Sequence, residues 1–391
     1  MKLGYSLRRW HTGTLNLMRD TINLSHYLMW LFCDFSKFKR IKTKNIKNIL
    51  VIYSGHVGDM SNSTGIINEL KNKNPELNFY YLTTKDRRKF VTLPYVVLIN
   101  KQQAKKLIRN KKIDAAVLLH GAMALRDLFD FELYRLINRV PYRVSCDILQ
   151  ISPALFLRQI IPIQLTRKIF TLNNNSFKHH LKCFQSLGFE VKKTSFYFTT
   201  HGEKFAESFI KKNKIKKDEK VVFLHPGSGK AVQALEENKI ASSLWVSQRW
   251  VDVADYLIEK YNARIIITGV MKERAIADKI YDKIKNKKKV ISLVGKTSIE
   301  EIASLFKRSS LIISIDTASA HIGAQVGVPV VDLFGPLRPI ECSPLGESTD
   351  LFHREVCTGC RKYACPEGNN ICMKSITVEE VLKAADKYLK T

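Results

Sequence analysis

The sequence lacks any apolar stretch long enough to cross a membrane. The longest uncharged stretch near its beginning, residues 21–33, is bounded by Asp20 and Asp34, whereas a membrane-spanning helix needs roughly 20 apolar residues. No small-residue cleavage site follows this stretch, so it does not have the pattern of a secretory signal. We therefore expect the eight cysteines to lie in a reducing compartment, where disulfides are not the first interpretation.

Motifs for nucleic-acid and nucleoside-triphosphate binding are also absent. The best Lys-containing candidate, Gly295-Lys296-Thr297, has Val290 where the first glycine of a Walker A loop belongs. No basic ribbon with interleaved aromatic residues occurs. We therefore expect no nucleic-acid partner.

Acidic residues are few compared with basic ones. The chain has 391 residues, with 64 Lys and Arg against 36 Asp and Glu, so its formal net charge is +28. Such an excess favours a polyanionic partner, either a phosphorylated substrate or an anionic membrane surface. The alternative is a lysine-rich, solvated surface, because much of the excess lies in runs such as residues 211–220 and 283–289.

Residues 1–45 form an extension ahead of the first predicted strand. Its apolar side chains recur three, four or seven residues apart, at Leu17, Leu24, Leu28, Leu31, Phe35 and Phe38. Basic residues flank this pattern, which is typical of an amphipathic helix lying on an anionic membrane. A helix packed on the protein's own surface is the alternative.

The rest of the chain alternates buried strands with helices, which predicts an α/β fold with parallel, doubly wound sheets. The predicted strands are residues 49–53, 79–82, 113–119, 221–225, 264–268, 290–293, 311–315 and 330–334. A charged stretch near residues 211–220 divides them into an N-terminal domain, 46–205, and a C-terminal domain, 206–391. We expect the last helix of the chain to pack back on the N-terminal domain. Ligands of such domains bind in a cleft at the carboxyl ends of the strands.

The most informative segment, residues 311–336, reads LIISIDTASAHIGAQVGVPVVDLFGP. A buried strand stops at Asp316 and Thr317, a helix-start signal. The small-residue helix that follows begins near Ala318 and carries His321. Free N–H groups, a hydroxyl and an imidazole at one helix start suit a diphosphate. The candidate residues for binding it are Asp316, Thr317, Ala318 and His321.

Two further loops follow predicted strands of the C-terminal domain. In the segment 225–230, HPGSGK, Gly227 permits close backbone approach, and Ser228 and Lys230 can bind phosphate oxygens. In the segment 269–274, GVMKER, Glu273 can accept hydrogen bonds from ribose hydroxyls. The alternative for the first loop is a plain tight turn, and for the second it is a solvated Glu273 at a helix start.

The N-terminal domain offers one candidate base, Asp59, in the segment GHVGD after the first strand. A carboxylate at a strand's carboxyl end can face the cleft and accept a proton. The alternative is a helix N-cap.

Near the end of the chain, four cysteines fall within sixteen positions, at Cys357, Cys360, Cys365 and Cys372. They are candidate ligands of a structural zinc ion, although only the Cys-x-x-Cys part has a usual ligand spacing. Free, packed thiols are the alternative.

Together these segments resemble glycosyltransferase family 9, the ADP-heptose:lipopolysaccharide heptosyltransferases, over about residues 47–385. The resemblance rests on ILVIYSGHVGD, LHPGSG, IIITG with the following Glu273, IDTASAH with GVPVVDLFGP, and the Cys-rich tail. It implies a GT-B fold, with the acceptor on the N-terminal domain and the nucleotide sugar on the C-terminal domain. It also implies inverting, metal-independent transfer, with Asp59 as the base. The absence of any Asp-x-Asp pair, which holds a divalent ion in another large class of glycosyltransferases, agrees with this.

One departure from the family pattern concerns a phosphate-binding lysine two positions before a tryptophan. Here Ser243 stands in that position, before Trp245, and we hypothesise that Lys230 or Lys239 substitutes for the lysine.

The resemblance implies ADP-heptose as the donor, a phosphorylated, lipid-linked core saccharide as the acceptor, and no cofactor. It also implies a cytoplasmic enzyme, peripheral on the inner face of the membrane. The alternatives are a transferase or epimerase of the same fold acting on another nucleotide sugar, and a non-catalytic sugar-nucleotide or membrane-binding protein.

Overall fold

The computed structural model describes residues 43–53, 55, 57–119, 130–146, 167–169, 176–357 and 359–390, and at some of these positions, Asp59 among them, only the backbone. Almost all of the predicted N-terminal extension therefore lies outside the described residues.

Six parallel strands form the N-terminal sheet, in the order β3-β2-β1-β4-β5-β6. They are β1 (Asn48–Ile52), β2 (Asn78–Leu82), β3 (Val96–Ile99), β4 (Ala115–Leu118), β5 (Tyr142–Cys146) and β6 (Arg167–Ile169). The helices are α1 (Val57–Lys73), α2 (Lys101–Arg109), α3 (Phe131–Ile137) and α4 (Ser176–Ser186). Successive residues of β1 enter opposite core clusters, Ile49 on one side and Leu50 on the other, so both faces of the sheet are covered.

A second sheet of six parallel strands follows, in the order β12-β11-β10-β7-β8-β9. They are β7 (Val221–His225), β8 (Arg264–Ile267), β9 (Val290–Ser292), β10 (Leu311–Ile315), β11 (Val330–Leu333) and β12 (Ser348–Leu351). The helices are α5 (Thr200–Lys212), α6 (Gly229–Glu236), α7 (Ser247–Tyr261), α8 (Arg274–Tyr281), α9 (Ile299–Phe306), α10 (Ala318–Val326), α11 (Pro339–Cys342), α12 (Ile371–Lys374) and α13 (Val378–Leu389). Short 3-10 turns span Thr43–Asn45, Lys85–Phe90, Met271–Glu273 and Lys287–Lys289.

The two sheets have the same topology. Counted from the first strand of each domain, the strand order is 3-2-1-4-5-6 in both, which is the doubly wound nucleotide-binding order. The direction of winding reverses between β1 and β4 in one domain and between β7 and β10 in the other. Ligands of such sheets bind at the carboxyl ends of the strands beside this reversal.

The chain crosses between the domains in the segment from α4 to α5. Val191 belongs to the N-terminal core, whereas Phe196 packs against the C-terminal one. Helix α5 lies with the C-terminal sheet, because Gly202 abuts α9 so closely that a β-carbon on it would lie 2.7 Å from the Ser304 hydroxyl. Residues 200–205, which we predicted as the end of the N-terminal domain, therefore pack with the C-terminal one.

Among the described residues, the last helix, α13, packs on the C-terminal sheet, contrary to the expectation that it packs back on the N-terminal domain. Its apolar face, with Val381, Ala385 and Leu389, joins the core cluster of the C-terminal sheet, and Tyr388 exchanges a hydrogen bond of 2.8 Å with Thr349 of β12. The physical reason is that the β10–β12 side of that sheet has an apolar face to cover. In the described ranges, no helix combines the length and apolar character needed to span a membrane.

Candidate active site

In the C-terminal domain, the carboxyl ends of three strands meet at the imidazole of His225. His225 ends β7, and the register pairs it with Ser314 of β10. Its Nδ1 lies 3.0 Å from the Thr268 hydroxyl, just after β8, and 3.0 Å from the Ser319 hydroxyl, in the first turn of α10. His225 therefore links the β8, β7 and β10 ends where the winding reverses.

A buried carboxyl group lies next to this imidazole. His225 Nε2 is 4.0 Å from Glu273 Oε2, and burial lowers the pKa of His225 to about 4, so the ring is neutral at pH 7. Burial raises the pKa of Glu273, whose Oε2 accepts a hydrogen bond of 2.8 Å from the Val270 N–H. Gly227 and Gly269 both abut this side chain, since β-carbons there would lie 3.0 Å and 2.7 Å from its atoms. The loops that carry Gly227 and Glu273, predicted separately, therefore form one wall of the cleft.

Helix α6 starts at this wall. Ser228 is its N-cap, with Oγ accepting a hydrogen bond of 3.1 Å from the Ala231 N–H. The same Oγ lies 3.3 Å from the hydroxyl of Ser243, which stands at the family's lysine position. Lys230 is exposed on the first turn of α6. A pair of hydroxyls and one exposed cation therefore surround the start of this helix.

Lys239 has other partners. Its ammonium group lies 2.6 Å from Glu237 Oε2 and 5.6 Å from the centroid of the Tyr363 ring. Of the two lysines that we predicted as substitutes at the phosphate, Lys230 is thus the better placed.

The start of α10 has the predicted composition. Thr317 is the N-cap residue, with φ −147° and ψ 174°, but its side chain makes no capping bond and exchanges a hydrogen bond of 3.0 Å with the Ser314 hydroxyl. Asp316 precedes it and accepts a 3.7 Å contact from the Cys342 thiol. His321 is buried one turn into the helix. The Thr317 side chain therefore does not cap the first turn of α10, and a helix start of this kind suits an anion.

The N-terminal domain meets α10 at the start of α1. A β-carbon on Gly58 would lie 2.9 Å from His321 Cδ2 and 3.5 Å from the Cα atom of Ala318. Asp59, the predicted base, is the next residue of α1, and its side chain is not among those the structure describes. Its backbone nevertheless places it at the junction of the two domains, one residue from the contact with His321.

The four candidate zinc ligands are free thiols in this structure. Burial and the neighbouring Cys357 raise the pKa of Cys372 to about 12, and Cys365 Sγ accepts a hydrogen bond of 3.3 Å from the Asn370 N–H. Across the described residues, no three His, Cys, Asp or Glu side chains are arranged to hold a metal ion. The geometry does not support a zinc site at Cys357, Cys360, Cys365 and Cys372, and zinc binding remains a prediction.

Sequence reasoning missed the central group, His225, together with Thr268 and Ser319. His225 stands at a strand end just before the predicted glycine loop, which is a usable signal. Its two hydroxyl partners depend on which strands are neighbours, and the sequence pattern does not reveal strand order.

Solved structures share this two-domain architecture. A glycosyltransferase family 9 protein from Veillonella parvula superposes with a TM-score of 0.65 at 16% identity, covering 88% of this chain and 97% of that one. The ADP-heptose lipopolysaccharide heptosyltransferase II of Escherichia coli superposes with a TM-score of 0.62 at 16% identity, covering 88% and 99%. The fold is that of a GT-B glycosyltransferase.

Sequence comparisons identify the family. The model of glycosyltransferase family 9 (heptosyltransferase) matches residues 166–371, and the chain belongs to this family. Lipooligosaccharide heptosyltransferase 2 of Campylobacter jejuni is 25% identical over 237 residues, which are 59% of this chain and 71% of that protein. Lipopolysaccharide heptosyltransferase 3 of Escherichia coli is 31% identical over 104 residues, 26% of this chain and 29% of that protein.

Proposed function

We propose that this glycosyltransferase moves a heptosyl group from ADP-heptose to a lipid-linked saccharide of the lipopolysaccharide core, with inversion at the anomeric carbon and without a metal ion. The observation that carries the proposal is the contact between Gly58 and His321. It brings the helix of the predicted base against the helix of the predicted donor site. The names of the relatives support heptose as the sugar and lipopolysaccharide or lipooligosaccharide as the acceptor.

The donor diphosphate is assigned to the starts of α10 and α6. The N–H groups at the start of α10, which the Thr317 side chain does not cap, and the positive end of the helix dipole favour an anion there. Asp316 and Ala318 flank that position, Ser228 adds a hydroxyl, and Lys230 supplies a cation. These groups are fixed before reaction, so they can stabilise the charge that grows on the leaving diphosphate. Because the sequence has no Asp-x-Asp pair, the proposal assigns this compensation to protein groups.

The nucleoside is assigned to the wall formed by Gly227 and Glu273. The absence of a side chain at Gly227 brings the backbone close to Glu273, and the carboxyl group has a further oxygen with which to accept a hydrogen bond from a ribose hydroxyl. The neutral imidazole of His225 fixes the neighbouring hydroxyls at the floor of the site.

Asp59 is assigned as the general base. Its carboxylate takes the proton of the acceptor hydroxyl, and the oxygen attacks the anomeric carbon from the face opposite the diphosphate. The bond from that carbon to the diphosphate oxygen breaks, and ADP leaves with the electron pair. One such displacement inverts the configuration. A general base contributes about 10²- to 10⁴-fold to a rate.

Charge and the names of the relatives support the proposed acceptor and location. A net charge of +28 suits a phosphorylated, lipid-linked acceptor at an anionic surface. We place the enzyme in the cytoplasm, peripheral on the inner face of the cytoplasmic membrane.

The substitution Asp59→Asn tests the catalytic assignment. We expect transfer from ADP-heptose to fall by about 10³-fold, with ADP-heptose affinity within about twofold of the unchanged protein. Asp218→Asn, at an exposed position, is the matched control and should transfer normally. A near-normal rate for Asp59→Asn would exclude this residue as the base. Binding of ADP-heptose without any transfer by the unchanged chain would instead favour a non-catalytic sugar-nucleotide-binding protein.

A further inference from the structure

A buried polar seam joins the two domains through one glutamine. Gln325, near the end of α10, donates a hydrogen bond of 3.2 Å from Nε2 to Asn62 Oδ1 of α1. Its Oε1 accepts a hydrogen bond of 3.2 Å from the Ser61 hydroxyl. Gln325 is 6% exposed, Ser61 8% and Asn62 0%. Both the nitrogen and the oxygen of the Gln325 carboxamide are therefore hydrogen-bonded to the N-terminal domain, away from water.

The seam continues to the start of α1. Asn62 Nδ2 donates a hydrogen bond of 3.1 Å to the Gly58 carbonyl oxygen. Gly58 precedes Asp59 and is the residue that lies against His321. Two consecutive hydrogen bonds thus connect Gln325 of the donor domain to the peptide group before the proposed base.

The same seam meets the segment that links the domains. A β-carbon on Gly65 would lie 3.1 Å from Gln325 Oε1 and 2.9 Å from the Cβ atom of Thr194, and the Gly65 carbonyl oxygen accepts a hydrogen bond of 3.3 Å from the Ser195 N–H. Gln325 therefore lies where α1, α10 and the interdomain segment converge. A side chain held where these three segments meet constrains the angle between the domains.

We propose that Gln325 is a positioning residue that locks α1 onto α10 and so sets the placement of Asp59 relative to the donor. This inference rests on the proposed function, because it assumes Asp59 as the base and α10 as the donor helix. Gln325 acts through Asn62 and Gly58 and touches neither substrate.

The physical reason is the sensitivity of transfer to geometry. Reacting atoms must approach to about 3–3.5 Å in line, and a displacement of about 1 Å can cost 10²-fold in rate. An unpartnered carboxamide or hydroxyl is unfavourable in a buried seam, so the bonded arrangement is strongly preferred over a shifted one. The proposed donor site lies in the C-terminal domain, so we expect donor binding not to depend on this preference.

The substitution Gln325→Leu tests the inference, because it keeps similar volume and removes both interdomain hydrogen bonds. We expect kcat to fall about tenfold or more, with ADP-heptose affinity within about twofold. Gln248→Leu is the matched control: Gln248 is exposed, and its side chain donates a hydrogen bond of 3.0 Å to Asp252 of its own helix. It should leave both values unchanged.

Small-angle X-ray scattering of the full chain gives a second readout that does not depend on activity. Gln325→Leu should have a wider distribution of domain separations than the unchanged chain, whereas Gln248→Leu should match it. Asn62→Ala should reproduce the effect on kcat, and the double variant should lose little more than either single one, because all three break the same connection.

The outcomes separate the two proposals. Normal kcat in Gln325→Leu, or a parallel loss of donor affinity, would overturn the positioning role. If the unchanged chain transfers no heptose, the proposed function fails. The scattering comparison of Gln325→Leu with the unchanged chain then still tests whether Gln325 locks α1 onto α10. Equal scattering of Gln325→Leu and the unchanged chain would overturn the lock.

Discussion

Strand β11 carries an aspartate into the interior of the C-terminal sheet. Asp332 is fully buried, and within the described part of the chain neither of its carboxyl oxygens has a hydrogen-bond partner. Burial raises its pKa well above 3.8, and the charges of Asp316 and Asp350 act in the same direction. The folded chain therefore holds a proton here that the unfolded chain releases at a lower pH.

This residue predicts a pH-dependent stability. Because its pKa is raised on folding, the stability that protonated Asp332 contributes is fully present below pH 3.8 and is lost as the pH rises through the raised pKa. Asp332→Asn cannot ionise, so it should raise the free energy of unfolding at pH 7 by about 1–3 kcal/mol. Urea unfolding should show the gain shrinking towards pH 4.

Asp282→Asn is the control for this prediction, since Asp282 is exposed. It should change the stability little at either pH. An equal gain for Asp332→Asn at pH 7 and pH 4 would show that ionisation is not the cause.

Gly227 allows a second prediction at the scale of single residues. A β-carbon there would lie 3.0 Å from Glu273 Cβ and Cγ, and Glu273 is buried and bonded to the Val270 N–H. Gly227→Ala should therefore lower the free energy of unfolding by about 1–3 kcal/mol through overpacking. Gly229→Ala, where a β-carbon meets nothing within 4 Å, should be neutral or slightly stabilising. Equal losses in thermal unfolding would contradict the packing argument.

At the scale of elements, the proposed function assigns the donor's diphosphate to the starts of α6 and α10. Helix α6 is capped by Ser228 and carries Lys230 in its first turn, whereas Lys239 lies beyond its end, bonded to Glu237. The two helices follow β7 and β10, which are neighbours at the reversal of winding. Two positive helix ends therefore converge on one site.

The two lysines should consequently differ. We expect Lys230→Ala to weaken ADP binding about tenfold, or about 1.4 kcal/mol, and the effect to diminish at high salt, because the charge is exposed and screened. Lys239→Ala should have little effect. Calorimetric titration with ADP measures both. Unchanged affinity in both Lys230→Ala and Lys239→Ala would mean that neither lysine substitutes at the Ser243 position.

The sequence predicts best the elements that consist mostly of buried apolar residues. Strand β10 has the predicted bounds, and helix α10 begins after Thr317 as predicted; it ends at Gly327, whose φ of 85° suits glycine. Strand β12, residues 348–351, was not predicted, because it is polar and only half-buried at an edge of the sheet. The contacts of His225 and Gln325 could not be predicted either, since they depend on strand order and on how the domains meet.

At the scale of the whole molecule, two sheets of identical strand order face each other through α1 and α10. Each domain places its ligand-binding edge at its own reversal of winding, and the Gly58–His321 contact brings the two edges together. In the proposed function, one domain holds the anionic donor while the other presents the acceptor to Asp59.

The predicted amphipathic extension gives a prediction for the whole chain. Removing residues 1–40 should lower sedimentation with anionic vesicles, because an apolar face flanked by basic residues binds such surfaces. Turnover of a soluble acceptor should stay normal. Unchanged sedimentation of the shortened chain would contradict the membrane role of this segment.

The central claim is transfer from ADP-heptose, and product analysis tests it most directly. Purified protein is incubated with ADP-heptose and a lipid-linked core acceptor, with UDP-linked sugars in parallel, and the acceptor is examined by mass spectrometry. We predict that the acceptor gains one heptosyl unit with ADP-heptose, that Asp59→Asn slows this gain by about 10³-fold, and that UDP-linked sugars give none. An unmodified acceptor with ADP-heptose, or modification from a UDP-linked sugar, would contradict the account.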